Sequence, residues 1–451
     1  MSEKVYSIEG GRPIQGTIAI GGAKNAISKQ LIASLLTDRA CVFTNVPRIS
    51  EIEVLLDMLS EVGTKYEWVD HNTLNVQTPT IINPTVSQKH SGVNRIPILL
   101  LAPLLHRSGE VTVPVVGGCR IGARPVDFHI EALKAMGAEI EYGAERYVAR
   151  CSKLRGKTIH LPYPSVGATE NIIIAGVLAQ GTTVIKNAAV EPEIIDTILF
   201  LQKMGALIQV DVDRRIIIEG VKRLDGATHH TITDRIEAAS FAAAAVACDG
   251  RVKILNAQQD QMITFLNELR KVGGGFTIED DGILFYRQHP ELNATHIETD
   301  VHPGFMTDWQ QPFAVLLTQA RGVSVIHETV YEDRFGYTRA LVRMGANIDV
   351  AHACLGRKPC RFADQDFNHS CIVKGVSKLR GQDMVIPDLR AGFANIIAAL
   401  VADGVSNIRG IKYIERGYAQ VAEKLASIGA AIQVREESST TAPARELASA
   451  V

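Results

Sequence analysis

Disulfide frameworks, zinc-finger spacings, membrane spans and a strong charge bias are all missing from these 451 residues. The seven cysteines (Cys41, Cys119, Cys151, Cys248, Cys354, Cys360 and Cys371) are scattered and odd in number, and no two stand as Cys-x-x-Cys. No Cys/His metal spacing is present, and most of these residues read as small buried apolar side chains in a reducing compartment. The opening MSEKVYSIEGG has no apolar signal region, and no run approaches a membrane span. A net charge of −2 argues against bulk binding to nucleic acid or to an acidic membrane surface. The expectation is a soluble cytoplasmic protein, with an oligomeric state left open.

What the chain does have is apolar content of 46% against 21% charged residues, enough to bury a core in each of the two or three domains that its length suggests. It also has an internal repeat. The tetrapeptides EVGT (from Glu61), AMGA (Ala135), KMGA (Lys203), KVGG (Lys271), RMGA (Arg343) and SIGA (Ser427) recur roughly every 70 residues. The glycine in each suits the residue after a helix end, and the short apolar run that follows suits a buried strand. Upstream of each mark lies an Ala/Ile/Leu-rich stretch without charge, such as Ala238–Ala247 or Phe393–Val401. A helix apolar all round is a buried helix. Each repeat therefore reads as a buried helix, a strand, an amphipathic outer helix and a closing strand.

Three repeats fill residues 23–232. Three more fill 233–435, with residues 1–22 added to this second half as two extra strands. No Pro-rich linker separates the halves, and the chain crosses between them near Gly21-Gly22 and near Thr231–Asp234, which would make a hinge. The stretch 436–451, EESSTTAPARELASAV, is polar and aperiodic and reads as a disordered tail.

The buried helices begin with polar residues: Lys24-Asn25, Arg95, Ser165 to Asn171, Asp234 to Glu237, Thr307-Asp308 and Asp388 to Arg390. A buried helix must satisfy its first amides at an open end. If the two halves face each other with these ends inward, helix N-termini and the cations Lys24, Arg95, Arg124, Arg390 and Arg416 converge on one anion-binding cleft. The stretch GGCRIGARP, Gly117 to Pro125, adds a glycine-rich loop that carries one thiol, Cys119, beside Arg120 and Arg124. Those charges would help to hold a thiolate.

The motifs GGAKNA (from Gly21), GGCRIGARPVDFHI (Gly117), PSVGATENI (Pro164), DRIE (Asp234), TDWQ (Thr307), EDRF (Glu332), PDLRAG (Pro387) and ERGY (Glu415) together resemble the UDP-N-acetylglucosamine 1-carboxyvinyltransferase family, in order and over nearly the whole chain. The resemblance implies an α/β fold of two domains, each an inside-out α/β barrel of three βαβαβ-type repeats. It implies transfer of the enolpyruvyl group of phosphoenolpyruvate to the 3-hydroxyl of UDP-N-acetylglucosamine, at the start of peptidoglycan synthesis, with no cofactor and no metal. Lys24, Asn25, Arg124, Arg390 and Arg416 match residues at the phosphoenolpyruvate site. Arg95 matches an arginine of the substrate cleft, and Cys119 matches the cysteine of a mobile lid. Arg124, Pro125, Val126, Asp127 and Phe128, with Tyr163, Pro164, Ser165 and Val166, match segments that cradle the uridine nucleotide. Asp308 matches the aspartate facing the sugar hydroxyl, and Val330 a further nucleotide-sugar contact. Asp234, Glu237, Asp388 and Arg334 fit as supporting charges.

The chemistry accounts for these residue types. Protonation at C3 of the enol builds positive charge at C2, the hydroxyl attacks C2, and phosphate leaves after the new methyl loses a proton. Cys119 can be the acid or can add to C2 as a thiol, and Asp308 is the expected base. Arg48, Arg120, Tyr163 and Trp309 depart from the residue types common in the family, and they bear mainly on the nucleotide contacts. Two other readings are a related transferase acting on another uridine nucleotide and a non-catalytic UDP-sugar-binding paralogue. Intact Lys24, Cys119, Asp308, Arg390 and Arg416 argue against the second.

Overall fold

A computed structural model describes residues 2–117, 125–358, 360–386 and 388–438. The chain divides into two compact units. Of the described residues, one unit comprises those within 20–235 and 300–306, and the other those within 1–19, 236–299 and 307–451.

The repeat appears as one sheet per copy, six open sheets among the described residues, with no closed barrel. In the third copy, strand Thr182–Lys186 lies parallel to Thr158–His160 and antiparallel to Ile216–Glu219, which pairs in turn with Leu207–Val210. The first copy borrows its parallel strand from far along the chain, since Thr228–His230 pairs with Cys41–Thr44. The two N-terminal strands are shared out. Ser2–Glu9 sits between Val405–Arg409 and Ala431–Ser438 in the sixth copy's sheet, while Gln15–Ala19 runs parallel to Arg251–Leu255 in the fourth. Only the first of them completes the sixth sheet. The final strand reaches Ser438 because Glu436 and Glu437 pair with Lys4 and Glu3, which carries regular structure three residues into the stretch read as a tail. Residues 439–451 lie outside the described residues.

The six repeat glycines, Gly63, Gly137, Gly205, Gly273, Gly345 and Gly429, all have φ between 84° and 114°. Each follows an outer helix, such as Ser50–Val62 or Ile263–Val272, where the chain must turn left-handed to enter the next strand. A side chain there would be strained, which is why the mark survives in every copy.

The buried helices are Lys24–Ala33, Leu101–Ser108, Val166–Gly176, Arg235–Ala247, Gln310–Thr318 and Leu389–Val401. Their stretches Ala238–Val246 and Phe393–Ala399 are essentially inaccessible to solvent. The second and fifth do not open as α-helix. Each begins in a 3-10 turn, Ile96–Leu100 and Thr307–Trp309. Pro103 and Pro312 fall in the first α-turn that follows, the one place where a proline's missing N–H costs little. Aromatic side chains stitch the helices of the second unit together, with Phe241 and Phe393 ring centroids 5.0 Å apart and Phe265 and Phe313 5.6 Å apart. Among the described residues no helix is long and apolar enough to cross a membrane.

Candidate active site

Asp308 lies in the 3-10 turn that opens the fifth buried helix. Two guanidinium groups share its carboxylate. Arg334 Nη2 donates to Oδ1, and Arg390 Nε donates to Oδ2 at 3.2 Å. The arginine side chains are 3% and 6% exposed, so both positive charges sit in a desolvated setting with one carboxylate between them.

The sequence around each arginine explains its placement. Asp388 caps the helix Leu389–Val401, its side chain accepting from the amides of Arg390 at 2.9 Å and Ala391 at 3.1 Å. The Arg390 guanidinium stands 5.4 Å from the ring centre of Tyr418, which is itself buried and shares a hydrogen bond with Ser240 at 3.1 Å. The tyrosine of the ERGY motif thus backs the arginine of PDLRAG. Arg416 of the same motif is half-buried, two residues beyond the short helix Ile411–Ile414.

Glu328, fully buried, braces the same turn. Its carboxylate accepts from Thr307 Oγ1 at 2.7 Å, from Gln310, and from the amides of Val330 at 2.7 Å and Tyr331 at 3.0 Å. Burial still pushes its carboxyl above the ordinary range, against the pull of Arg334. Val330 is therefore fixed from both sides, because its carbonyl accepts from Arg361 at 2.6 Å. Sequence reasoning missed Glu328. Its only signal was a carboxylate at the end of the apolar run VSVIHE, where a charge needs a reason.

In the other unit, Arg95 immediately precedes its helix and donates through Nη2 to the Pro125 carbonyl at 3.3 Å. This ties it to the segment that runs through Val126, Asp127 and Phe128 into the helix Asp127–Ala135. Behind it His129 is buried, and burial together with the Arg95 charge lowers its pKa to about 3. The imidazole packs so closely against Gly167 that a Cβ there would lie 3.1 Å from its Cε1. Gly167 follows Ser165, whose side chain caps the helix Val166–Gly176. The fold therefore brings Arg95, Pro125 to Phe128 and the Ser165-Val166 turn together, with half-buried Tyr163 and Pro164 leading in. Lys24 and Asn25 begin their helix half-buried, and the Asn25 carbonyl accepts from Lys29 at 2.9 Å. Gly118 to Arg124, and with them Cys119, Arg120 and Arg124, lie outside the described residues.

Polar bonds also hold the chain where it passes residue 235. Asp196 accepts from Gln30 at 2.6 Å, from the Ile232 amide at 3.0 Å, and is bonded to His229 at 3.0 Å. Arg235 makes a two-pronged pair with Glu193 at 2.9 and 3.0 Å. Gly21 and Gly22 run beside Thr233 and Asp234, with the Asp234 amide donating to the Gly21 carbonyl at 2.9 Å.

A family model described as EPSP synthase (3-phosphoshikimate 1-carboxyvinyltransferase) matches residues 8–425. This chain belongs to the EPSP synthase family. Within that family its similarity is high to proteins named UDP-N-acetylglucosamine 1-carboxyvinyltransferase. The one from Protochlamydia amoebophila is 53% identical over 96% of this chain and 95% of its own length. The one from Chlamydia abortus is 50% identical over 94% and 97%, and that from Zymomonas mobilis 41% identical over 94% and 98%. Among solved structures, the enolpyruvyl transferase NikO from Streptomyces tendae superposes with a TM-score of 0.85 at 21% identity, covering 97% of this chain and 100% of that one. An EPSP synthase from Acinetobacter baumannii superposes with a TM-score of 0.72 at 16% identity, covering 96% and 100%. These likenesses establish the EPSP synthase family fold for the whole chain, in the repeat-built α/β form read from the sequence.

Proposed function

We propose that the chain transfers the enolpyruvyl group of phosphoenolpyruvate to the 3-hydroxyl of UDP-N-acetylglucosamine and releases phosphate, the first committed step of peptidoglycan precursor synthesis, in the cytoplasm. The observation that carries this reading is the 53% identity, over almost the full length of both chains, to the Protochlamydia amoebophila protein of that name.

The bonded trio of Asp308, Arg334 and Arg390 supports it chemically. Asp308 takes the proton of the attacking hydroxyl, and two guanidinium groups hold it in one orientation while it does so. Arg390, with Lys24, Arg124 and Arg416, grips the phosphate and carboxylate of phosphoenolpyruvate, so that the departing phosphate is stabilised by fixed cations. Asn25 assists Lys24. With Cys119 as the acid, a proton reaches C3 and the hydroxyl oxygen bonds to the cationic C2; with Cys119 adding to C2 as C3 is protonated, the C2–S bond breaks and releases the thiolate before the hydroxyl oxygen bonds to C2. Loss of a proton from the resulting methyl then expels phosphate and restores the double bond. Arg95, Pro125, Val126, Asp127 and Phe128, with Tyr163, Pro164, Ser165, Val166 and Val330, bind the nucleotide sugar.

Phosphate release with both substrates tests the proposal. The expected result is one phosphate per enolpyruvyl sugar nucleotide detected by mass spectrometry. Turnover only with a different uridine nucleotide, or none with any acceptor, would overturn it.

A further inference from the structure

The hairpin of the fifth repeat differs from that of its neighbour. In the fourth repeat, Gly274–Glu279 and Gly282–Arg287 are joined by Asp280 and Asp281 alone. In the fifth, Asn347–Ala351 and Ser370–Gly375 are joined by residues 352–369, an excursion with no helix or strand among its described residues. A loop of that length inside a compact domain needs something to fasten it.

What lies beneath it is a knot of metal-ligating side chains. One ligand atom each from His327, Cys354 and Cys360 lie within 4.8 Å of one another. A fourth group closes the set, with His369 Nδ1 3.8 Å from Cys360 Sγ. The sheet enforces the meeting. His327 ends the strand Ala320–His327, and its register partner Ser370 directly follows His369. The Glu328 amide donates to the His369 carbonyl at 2.8 Å, which fixes the two histidines side by side.

We propose that His327, Cys354, Cys360 and His369 bind one thiophilic divalent cation in tetrahedral geometry, zinc being the best match. Four observations support the assignment. His327 is 0% exposed, yet neither of its ring nitrogens has a hydrogen-bond partner. A buried imidazole with no partner is costly, and a metal ion removes that cost. His369, also 0% exposed, places Nε2 3.3 Å from the Gln365 carbonyl, so that Nε2 donates and Nδ1 keeps its lone pair toward Cys360, the tautomer that a metal requires. The Phe362 amide donates to Cys360 Sγ at 3.4 Å, as amides do to metal-bound thiolates. Glu298, whose Oε2 is 3.7 Å from His327 Nδ1, can orient that ring while it accepts the amides of Arg357 at 2.7 Å and Lys358 at 2.8 Å. Bond lengths of about 2.3 Å to sulfur and 2.0–2.1 Å to nitrogen put ligand atoms about 3.3–3.8 Å apart. The ligand atoms of His327, Cys354 and Cys360, within 4.8 Å of one another, need to draw in by about 1 Å to reach that size, and His369 Nδ1 at 3.8 Å from Cys360 Sγ already meets it on that side. By contrast, the acidic group Asp57, Glu61 and His90 already holds a cation, since Lys89 Nζ lies 2.8 Å from Asp57 and 3.0 Å from Glu61.

The test is metal analysis of the full chain, expressed with zinc in the medium and purified without an affinity tag that binds metal. About one zinc per chain is expected. Replacement by Co(II) should produce visible bands of tetrahedral cobalt with a near-ultraviolet thiolate charge-transfer band. Cys354→Ser should cut that charge-transfer intensity by about half, and Cys354→Ser/Cys360→Ser should abolish it, because each thiolate contributes separately. Since both cysteines lie in the excursion, the double variant should still fold, and circular dichroism verifies that. If a variant does not fold, the wild-type zinc content and cobalt spectrum decide alone. A wild-type chain with neither zinc nor a cobalt spectrum would overturn the proposal. So would a spectrum unchanged in the double variant, or a Cys354–Cys360 disulfide in protein isolated without air.

Discussion

Arg390 donates through Nε to Asp308 Oδ2 at 3.2 Å, across 82 residues of sequence. The contact joins the starts of the fifth and sixth buried helices and makes one carboxylate the common anchor of two nearly inaccessible guanidinium groups. A residue proposed as a base is thus also the residue that positions a proposed phosphate-binding arginine. Its removal should disturb both functions together.

Asp308→Asn keeps the shape and removes the charge. The variant should lose about 10²–10³-fold in kcat for phosphate release, the scale of a missing general base. Its KM for phosphoenolpyruvate should rise as well, because Arg390 loses its anchor. Arg390→Lys should raise that KM by about tenfold with a smaller effect on kcat, since an ammonium cannot bond the carboxylate and a further anion in a fixed fork. Steady-state kinetics with each substrate varied reads both effects. A loss in kcat below tenfold for Asp308→Asn would remove Asp308 from the chemistry.

Glu193→Ala should be among the more destabilising single changes in its unit. Arg235 and Glu193 are 2% and 5% exposed, and deleting the carboxylate leaves a buried guanidinium without its two-pronged partner. Breaking such a pair costs about 3–5 kcal/mol, or roughly 10 °C in the melting temperature of a unit of this size. Asp349→Ala deletes one partner of a pair that is 46% and 59% exposed, and it should cost less than about 1 kcal/mol. Calorimetry on the two variants compares them directly, and equal shifts would contradict the argument.

The repeat was legible in the sequence because a left-handed turn after each outer helix admits little but glycine, so a backbone constraint left the same letter six times. The buried helices were legible because they carry no polar face. Partnerships between residues far apart in the chain were not. Arg334 could be read as a supporting charge, but nothing local pointed it at Asp308. Glu328 could not be read as the brace of the same turn. The final strand was read too short because Glu436 and Glu437 look like tail residues, and only their pairing with Lys4 and Glu3 makes them strand. Cys354 and Cys360 read only as small apolar side chains for the same reason. Their spacing matches no metal motif, and of the two histidines that complete the set one ends the strand Ala320–His327 and the other directly precedes its partner strand Ser370–Gly375.

Fosfomycin, an epoxide phosphonate, should alkylate one cysteine, Cys119. Alkylation needs a thiolate. Burial pushes the thiol pKa of Cys41 up to about 11 and those of Cys248 and Cys371 up to about 12, so these three stay protonated and enclosed. Intact-mass analysis should show one adduct on the wild type and none on Cys119→Ser. An adduct that persists in the variant would mean that the reactive thiol is another.

Glu170 should give stability a pH dependence of unusual sign. Its side chain is 1% exposed, and neither oxygen has a hydrogen-bond donor, although Lys29 Nζ stands 3.5 Å away. Burial therefore outweighs the lysine, and the carboxyl is pushed up to about 7. Between the unfolded value of about 4.3 and this folded value, the folded chain holds a proton that the unfolded chain has released. The contribution is fully present below about pH 4.3 and is lost as pH rises through 7, the reverse of an ordinary salt-bridged acid. Glu170→Gln stays neutral at every pH and should lack this loss. Melting temperatures taken from pH 4.5 to 8 should show the variant gaining on the wild type up to about pH 7, with no further change above it. Parallel curves across the range would mean that Glu170 is ionised in the fold throughout and that Lys29 governs its charge.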